Sequence, residues 1–160
     1  IQVYSHSKDL GLAGERIGYV AAHPEMDSVD EFLAGLTFSN RVLGFINAPA
    51  FMQHVLRDLQ GVTVDVTDYE RKRDRIYPAL RDMGFDVVRP QGAFYLFPKT
   101  FDSDDVAFAR ALQENLVLVV PGSGFGRPGH IRISYCVDDA TIERALPIFE
   151  KVARNHLTPR

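Results

Sequence analysis

Five consecutive aliphatic residues, Leu116-Val117-Leu118-Val119-Val120, lead into a loop holding Gly122, Gly124, Gly126 and Gly129, and then into an alternating stretch at 130–136. No other feature constrains the fold as much. A wholly apolar run of this length is expected for a strand covered on both faces. The glycines interrupt regular structure, and the alternation marks a strand with one covered face. Strands of this kind need helices against them, and the flanking sequence supplies them. Residues 65–83 place Tyr69, Ile76, Leu80 and Met83 on one helical face, with Gly84 suited to the left-handed position beyond the helix end and Phe85 packing back. A helix opening at Asp102 or Ser103 and running to Asn115 carries Phe108, Ala111 and Leu112. Asp138 caps a last helix bearing Ile142, Ala145, Leu146, Phe149, Val152 and Ala153 at helical spacing. Pro78 and Pro147 fall inside these helices and are expected to bend them. Residues 86–89 and 93–97 read as a strand pair around Pro90-Gln91-Gly92. The order of elements predicts a small sheet with helices packed on it. The tail Thr158-Pro159-Arg160 is expected to fray.

Residues 1–60 read differently. A strand at 1–4 is already under way, and a second one at 17–22 is closed by His23-Pro24. Asp27 or Ser28 is expected to cap a helix with Val29, Phe32, Leu33 and Leu36 on one face. Residues 39–47 show no clear period and are too apolar for a free loop, which suits the cover of a partner subunit or a neighbouring domain. Pro49 fits the first turn of a helix with the stripe Met52, Val55, Leu56 and Leu59, ending at Gly61. Two domains are therefore expected, 1–60 and 61–160, the first resembling elements of a larger α/β domain.

Chemistry concentrates at Ser5-His6-Ser7-Lys8 and at Arg16. Lysine forms an imine with a carbonyl compound once its ammonium loses a proton. The hydroxyls of Ser5 and Ser7 and the planar fork of Arg16 suit a phosphate dianion. Arg132 is the second candidate: it alternates with Ile131, Ile133 and Tyr135, so it faces outward from a strand, where a guanidinium matches a carboxylate in two parallel hydrogen bonds. Arg41 reads as an ordinary surface arginine. Tyr95 and Phe97 read as core, and Cys136 as a half-buried small residue. The glycine loop is followed by a strand and no phosphate-binding lysine, so it reads as a mobile approach to Arg132 rather than a nucleotide cradle. A net charge of −3 leaves no basic footprint for nucleic acid or an anionic membrane. A single cysteine excludes a disulfide framework, and the five histidines lack ligand spacing, so no metal is assigned. No apolar run approaches the length of a membrane span and no signal pattern appears, which makes the cytoplasm the default location.

Ser-x-Ser-Lys followed by Gly14, Arg16, Gly18 and Tyr19 resembles the cofactor-lysine segment of the fold-type-I pyridoxal-phosphate enzymes, specifically the class I/II aminotransferases. The resemblance continues at Pro90-Gln91-Gly92-Ala93-Phe94-Tyr95-Leu96-Phe97, at Val120-Pro121-Gly122-Ser123-Gly124-Phe125-Gly126, and at Ile131-Arg132-Ile133-Ser134-Tyr135. It implies an α/β fold comprising the remnant of a large cofactor-binding domain and a small α+β domain, the C-terminal part of a longer protein. It implies pyridoxal 5′-phosphate as cofactor, held as an aldimine by Lys8, with Ser5, Ser7 and Arg16 on the phosphate and Arg132 on the substrate α-carboxylate. The implied reaction moves an amino group between an aspartate-type L-amino acid and a 2-keto acid, in a homodimer. A second-carboxylate role for Arg41 is only what the resemblance would imply. In the family, residues that stack on the pyridine ring, pair its nitrogen and contact its 3-oxygen lie upstream of the lysine, so the 160-residue chain alone is expected to be inactive. Two neighbouring readings share the segment: a C–S lyase on the same fold, and the ligand-sensing domain of a transcription regulator.

Overall fold

The computed structural model describes residues 1–157, and the expectation for Thr158-Pro159-Arg160 lies outside the described residues. The chain forms two compact units, Ile1–Val64 and Asp65–Arg160. Among the described residues no helix is long and apolar enough to cross a membrane.

In the first unit, strand β1 (Gln2–Ser5) pairs antiparallel with β2 (Gly18–Ala21), Tyr4 opposite Tyr19 and Ser5 opposite Gly18. A single-turn helix α1 (His6–Asp9) and a turn of 3-10 helix at Ala13–Glu15 lie between them. Helices α2 (Val29–Val42) and α3 (Ala50–Asp58) follow. Ile17, Met52 and Leu56 are the buried residues of the unit's apolar cluster, with Leu10, Leu12, Ala48 and Val55 packed against them. The expected stripe of α2 is only half realised: Val29, Phe32 and Leu36 are half-buried, Leu33 is exposed, and the helix buries no residue fully. Ser28 occupies its N-cap with φ 55° and makes no side-chain cap bond. A capping side chain reaches the first turn from extended backbone, and neither Ser28 nor Asp27 caps α2 in that way. Residues 39–42 complete α2, and Leu43, Phe45 and Ile46 follow as exposed apolar side chains.

The second unit is a three-stranded antiparallel sheet in the order β3 (Tyr95–Leu96), β5 (Ile131–Ser134), β4 (Val120–Pro121). Helices α4 (Val66–Asp82), α5 (Asp105–Gln113) and α6 (Asp139–Leu157) complete it. Its core includes Leu80, Leu96, Phe108, Leu112, Ile131 and Tyr135. Phe85 sits among Phe101, Phe108 and Phe149, with ring centroids 4.7, 6.0 and 6.3 Å away, within the range of favourable aromatic packing. The end of α4 is a Schellman motif: Gly84 (φ +91°) donates its N–H to the Arg81 carbonyl and Phe85 donates to the Leu80 carbonyl. The helices continue through Pro78 and Pro147. The basic run at 71–75 is neutralised by carboxylates: Arg71 binds Asp139 through two 2.9 Å bonds, tying α4 to α6, and Arg75 meets Glu143 at 2.8 Å.

Three expectations are corrected in this unit. Residues 86–89 form no strand with 93–97; β3 pairs with β5 instead, and the Asp86 carbonyl accepts the N–H of Lys99, beyond the second stretch. Pro90 lacks a donor and Ala93 has φ +60°, so the chain turns away from a ladder. The aliphatic run 116–120 is not covered on both faces. Val117 is buried and Val119 half-buried, while Leu116 and Leu118 are 92% and 80% exposed. Its end, β4, is the edge of a sheet whose helices lie over its buried face. Helix α5 is capped by Asp104, whose carboxylate accepts the Ala107 N–H at 2.9 Å, rather than by Asp102 or Ser103. Asp102 accepts the Asp104 N–H and so turns the chain one step ahead of the cap.

Candidate active site

In the first unit the turn that carries Ser5, Ser7 and Lys8 has its backbone beside the segment that follows Arg16. Ser5 is extended (φ −137°, ψ 132°) and caps α1; its Oγ accepts the Ser7 N–H at 3.3 Å and lies 2.8 Å from Ser7 Oγ. The His6 N–H donates to the Ile17 carbonyl at 3.1 Å, which seats this turn beside residues 16–18. Gly18 makes the approach possible, because a Cβ there would lie 2.3 Å from the Tyr4 carbonyl oxygen. Lys8 is exposed on α1. Arg16 stands in the left-handed region (φ 53°, ψ 48°), and its Nη1 donates to the Ala13 carbonyl at 3.0 Å. The His6 ring meets the Asp9 carboxylate at 3.1 Å. Burial pushes the Asp9 carboxyl up, but hydrogen bonds from His6 and Leu10 outweigh it and hold the group below its ordinary value. Two hydroxyls, an amine and a guanidinium at a backbone approach with no Cβ fit the donor needs of a phosphorylated aldehyde such as pyridoxal phosphate.

In the second unit Arg132 projects from β5 on the face opposite buried Ile131, Ile133 and Tyr135. Its guanidinium carbon lies 4.3 Å from the Phe125 ring centroid and 4.7 Å from that of Tyr95, which is cation–π distance. Among the described residues no carboxylate pairs with Arg132 and no acceptor takes its N–H groups. A cation so placed offers its donors to an incoming planar anion. Tyr95 and Phe97, expected in the core, are instead half-buried on this outer face, with Phe97 stacked on the His130 ring at 5.4 Å. Buried Leu96 between them carried the signal, since neighbours on a strand point to opposite faces. Phe125 gave no such signal inside a glycine loop. Arg41 is exposed in the last turn of α2, and Cys136 is exposed rather than half-buried.

Known proteins share this arrangement of sequence. The family described as "Aminotransferase class I and II" matches residues 1–149. A probable aspartate aminotransferase of Methanocaldococcus jannaschii is 36% identical over 160 residues, covering 95% of this chain and 42% of the relative. Aromatic-amino-acid aminotransferase 2 of Thermococcus litoralis is 33% identical, covering 96% of this chain and 41% of the relative. The crystal structure of an aminotransferase from Eubacterium rectale superposes with a TM-score of 0.86 at 40% identity, covering 98% of this chain and 39% of that one. The chain thus spans about 40% of the length of the proteins it matches. With the motifs around Lys8 and Arg132 inside the matched stretch and the fold shared at this identity, the chain belongs to the class I and II aminotransferase family.

Proposed function

We propose that this chain bears the cofactor lysine and the substrate-carboxylate arginine of a pyridoxal-phosphate-dependent aminotransferase. The whole protein moves an amino group between an aspartate-type L-amino acid and a 2-keto acid. Relatives named as aspartate aminotransferases support the substrate type. The observation that supports the reading is the pairing of Ser5 with Gly18 and of His6 N–H with the Ile17 carbonyl, which sets the backbone of the Ser5–Lys8 turn beside the segment that carries Arg16.

Ser5, Ser7 and Arg16 would hold the cofactor phosphate, and Lys8 Nζ would be the amine that holds its aldehyde. When bound, pyridoxal phosphate supplies an electron sink for charge developing at the substrate Cα. With the cofactor bound, Lys8 Nζ would be the amine available to take the substrate Cα proton, a general-base role worth roughly 10²–10⁴-fold in rate. Arg132 binds the α-carboxylate through its fork and so orients the Cα–H bond. The exposed side chains of Phe38, Val42, Leu43, Phe45 and Ile46 support a homodimer, since an apolar set of this size in solvent is the mark of an interface.

The test is to add pyridoxal phosphate to the chain, reduce with borohydride, and map the label by mass. Label on the Lys8 peptide, lost in Lys8→Ala, is the expected result. Label spread over other lysines, or unchanged in Lys8→Ala, refutes the assignment. For the whole protein, aspartate and 2-oxoglutarate should yield glutamate.

A further inference from the structure

The loop that brings Phe125 to Arg132 is fixed from beneath by a buried charge. Asp105, the first residue of α5, is 4% exposed, and its Oδ2 accepts the Ser123 N–H at 2.6 Å. That hydrogen bond, ahead of the opposing effect of burial, holds the Asp105 carboxyl below its ordinary range, so it is the anion that grips the loop. The rest of the loop closes on itself. Gly122 N–H donates to the His130 carbonyl at 2.8 Å, Arg127 N–H to the Gly122 carbonyl at 2.9 Å, and Gly126 N–H to the Ser123 carbonyl at 3.1 Å. A Cβ on Gly122 would lie 2.3 Å from the Arg127 carbonyl oxygen, so the turn tolerates glycine alone there. Phe125 ends this 3-10 turn, and its ring is 49% exposed yet lies 4.3 Å from the Arg132 guanidinium. The ring also meets Phe97 edge-on at 6.3 Å, which sets it over a guanidinium that has no carboxylate partner among the described residues.

We propose that Phe125 is a positioning residue for Arg132: anchored through the Ser123 amide by the Asp105 carboxylate, its ring holds the guanidinium beside Tyr95 with the N–H groups left for a carboxylate. This rests on the reading of Arg132 as the carboxylate-binding residue. A ring offers no acceptor, so it restricts the side chain without competing for its donors, whereas an ion pair would consume them. An arginine held in one orientation before binding loses less rotamer freedom when the anion arrives.

The experiment uses the 160-residue chain, isotope-labelled, with the Arg132 Nε–Hε resonance assigned by its disappearance in Arg132→Lys. Acetate is the carboxylate probe. In the parent that resonance is displaced by the neighbouring rings. Phe125→Leu is expected to remove part of the displacement and weaken acetate about fivefold, equivalent to ~1 kcal/mol. The thermal transition should be little changed, because the ring is half-exposed. Phe125→Tyr is expected to restore both readings, and Asp105→Asn to shift the same resonance in the direction of Phe125→Leu. A Phe125→Leu variant with parental resonance and parental acetate affinity overturns the proposal, and an Asp105→Asn variant with a parental resonance overturns the anchor. If Arg132→Lys leaves acetate affinity unchanged, the carboxylate reading itself falls, while the ring displacement still decides whether Phe125 orients Arg132.

Discussion

The two compact units hold their shape by unequal means. Among the described residues, sixteen buried apolar residues from α4, α5, α6, the sheet and the segments that join them form one cluster in the second, while in the first the corresponding cluster has three. Helix α2 sharpens the contrast, since it has fourteen residues and none fully buried. A stretch that buries so little of its apolar surface has no self-sufficient core. The lysine proposed for the cofactor, Lys8, therefore sits on the thinly supported unit, and the arginine proposed for the substrate, Arg132, sits on the well-supported one. Local geometry at Lys8 depends on hydrogen bonds and a glycine contact; at Arg132 it depends on a strand backed by packed side chains.

The largest test of this difference is truncation of each core. Phe108→Ala, at a fully buried ring, is expected to cost about 3–5 kcal/mol. Met52→Ala is expected to cost about 1–2 kcal/mol, because the thin cluster around it leaves less packing to lose. Both are read from denaturant unfolding, and equal losses would remove the distinction. Next comes Gly18→Ala, whose Cβ would collide with the Tyr4 carbonyl. It should abolish borohydride-trapped label at Lys8 and leave the protected amides of the second unit as they were. Hydrogen exchange reads that protection residue by residue.

Acid provides an intermediate effect. Hydrogen bonds from Arg73 and then Arg89 hold the Asp74 carboxyl down at about 2, and Asp68 and Asp139 are lowered by their bonds with Lys72 and Arg71. A lowered carboxylate stabilises the folded state fully above its unfolded value of about 3.9 and loses that contribution as pH falls through the folded value. The second unit should hold its melting temperature at neutral pH and lose it between about pH 4 and about pH 2, and Asp74→Asn should flatten that decline. The smallest effect is expected from Phe38→Ser with Phe45→Ser. Both side chains are exposed, so the change in stability should stay within about 0.5 kcal/mol. Self-association measured by sedimentation should fall. A large loss of stability would show that α2 and the loop after it contribute more to the first unit than their burial indicates.

What the sequence made legible follows the same division. The stripes of α4 and α6, the Gly84 helix end and the inward set Ile131, Ile133 and Tyr135 were readable because periodicity records burial, and these residues are buried. In the run 116–120 apolar composition does not report two-sided cover, since Leu116 and Leu118 lie in solvent ahead of the edge strand β4. The stripe of α2 likewise does not report full burial. In the site, Ser5, Ser7, Lys8 and Arg16 were visible as a motif, and β1–β2 register brings their segments side by side. Tyr95 was visible but assigned to the wrong face. Phe125 and Asp105 were hidden, since a loop ring and a helix-start carboxylate become partners only through contacts distant in sequence.

The backbone at Arg16 carries an evolutionary consequence. Left-handed geometry costs a non-glycine residue roughly 1–2 kcal/mol, so Gly or Asn at that place would relax the chain while discarding the guanidinium. If Arg16 grips the cofactor phosphate as proposed, selection for robustness and selection for that grip pull the position in opposite directions. Under that proposal, a lineage released from the grip would gain stability by giving the arginine up.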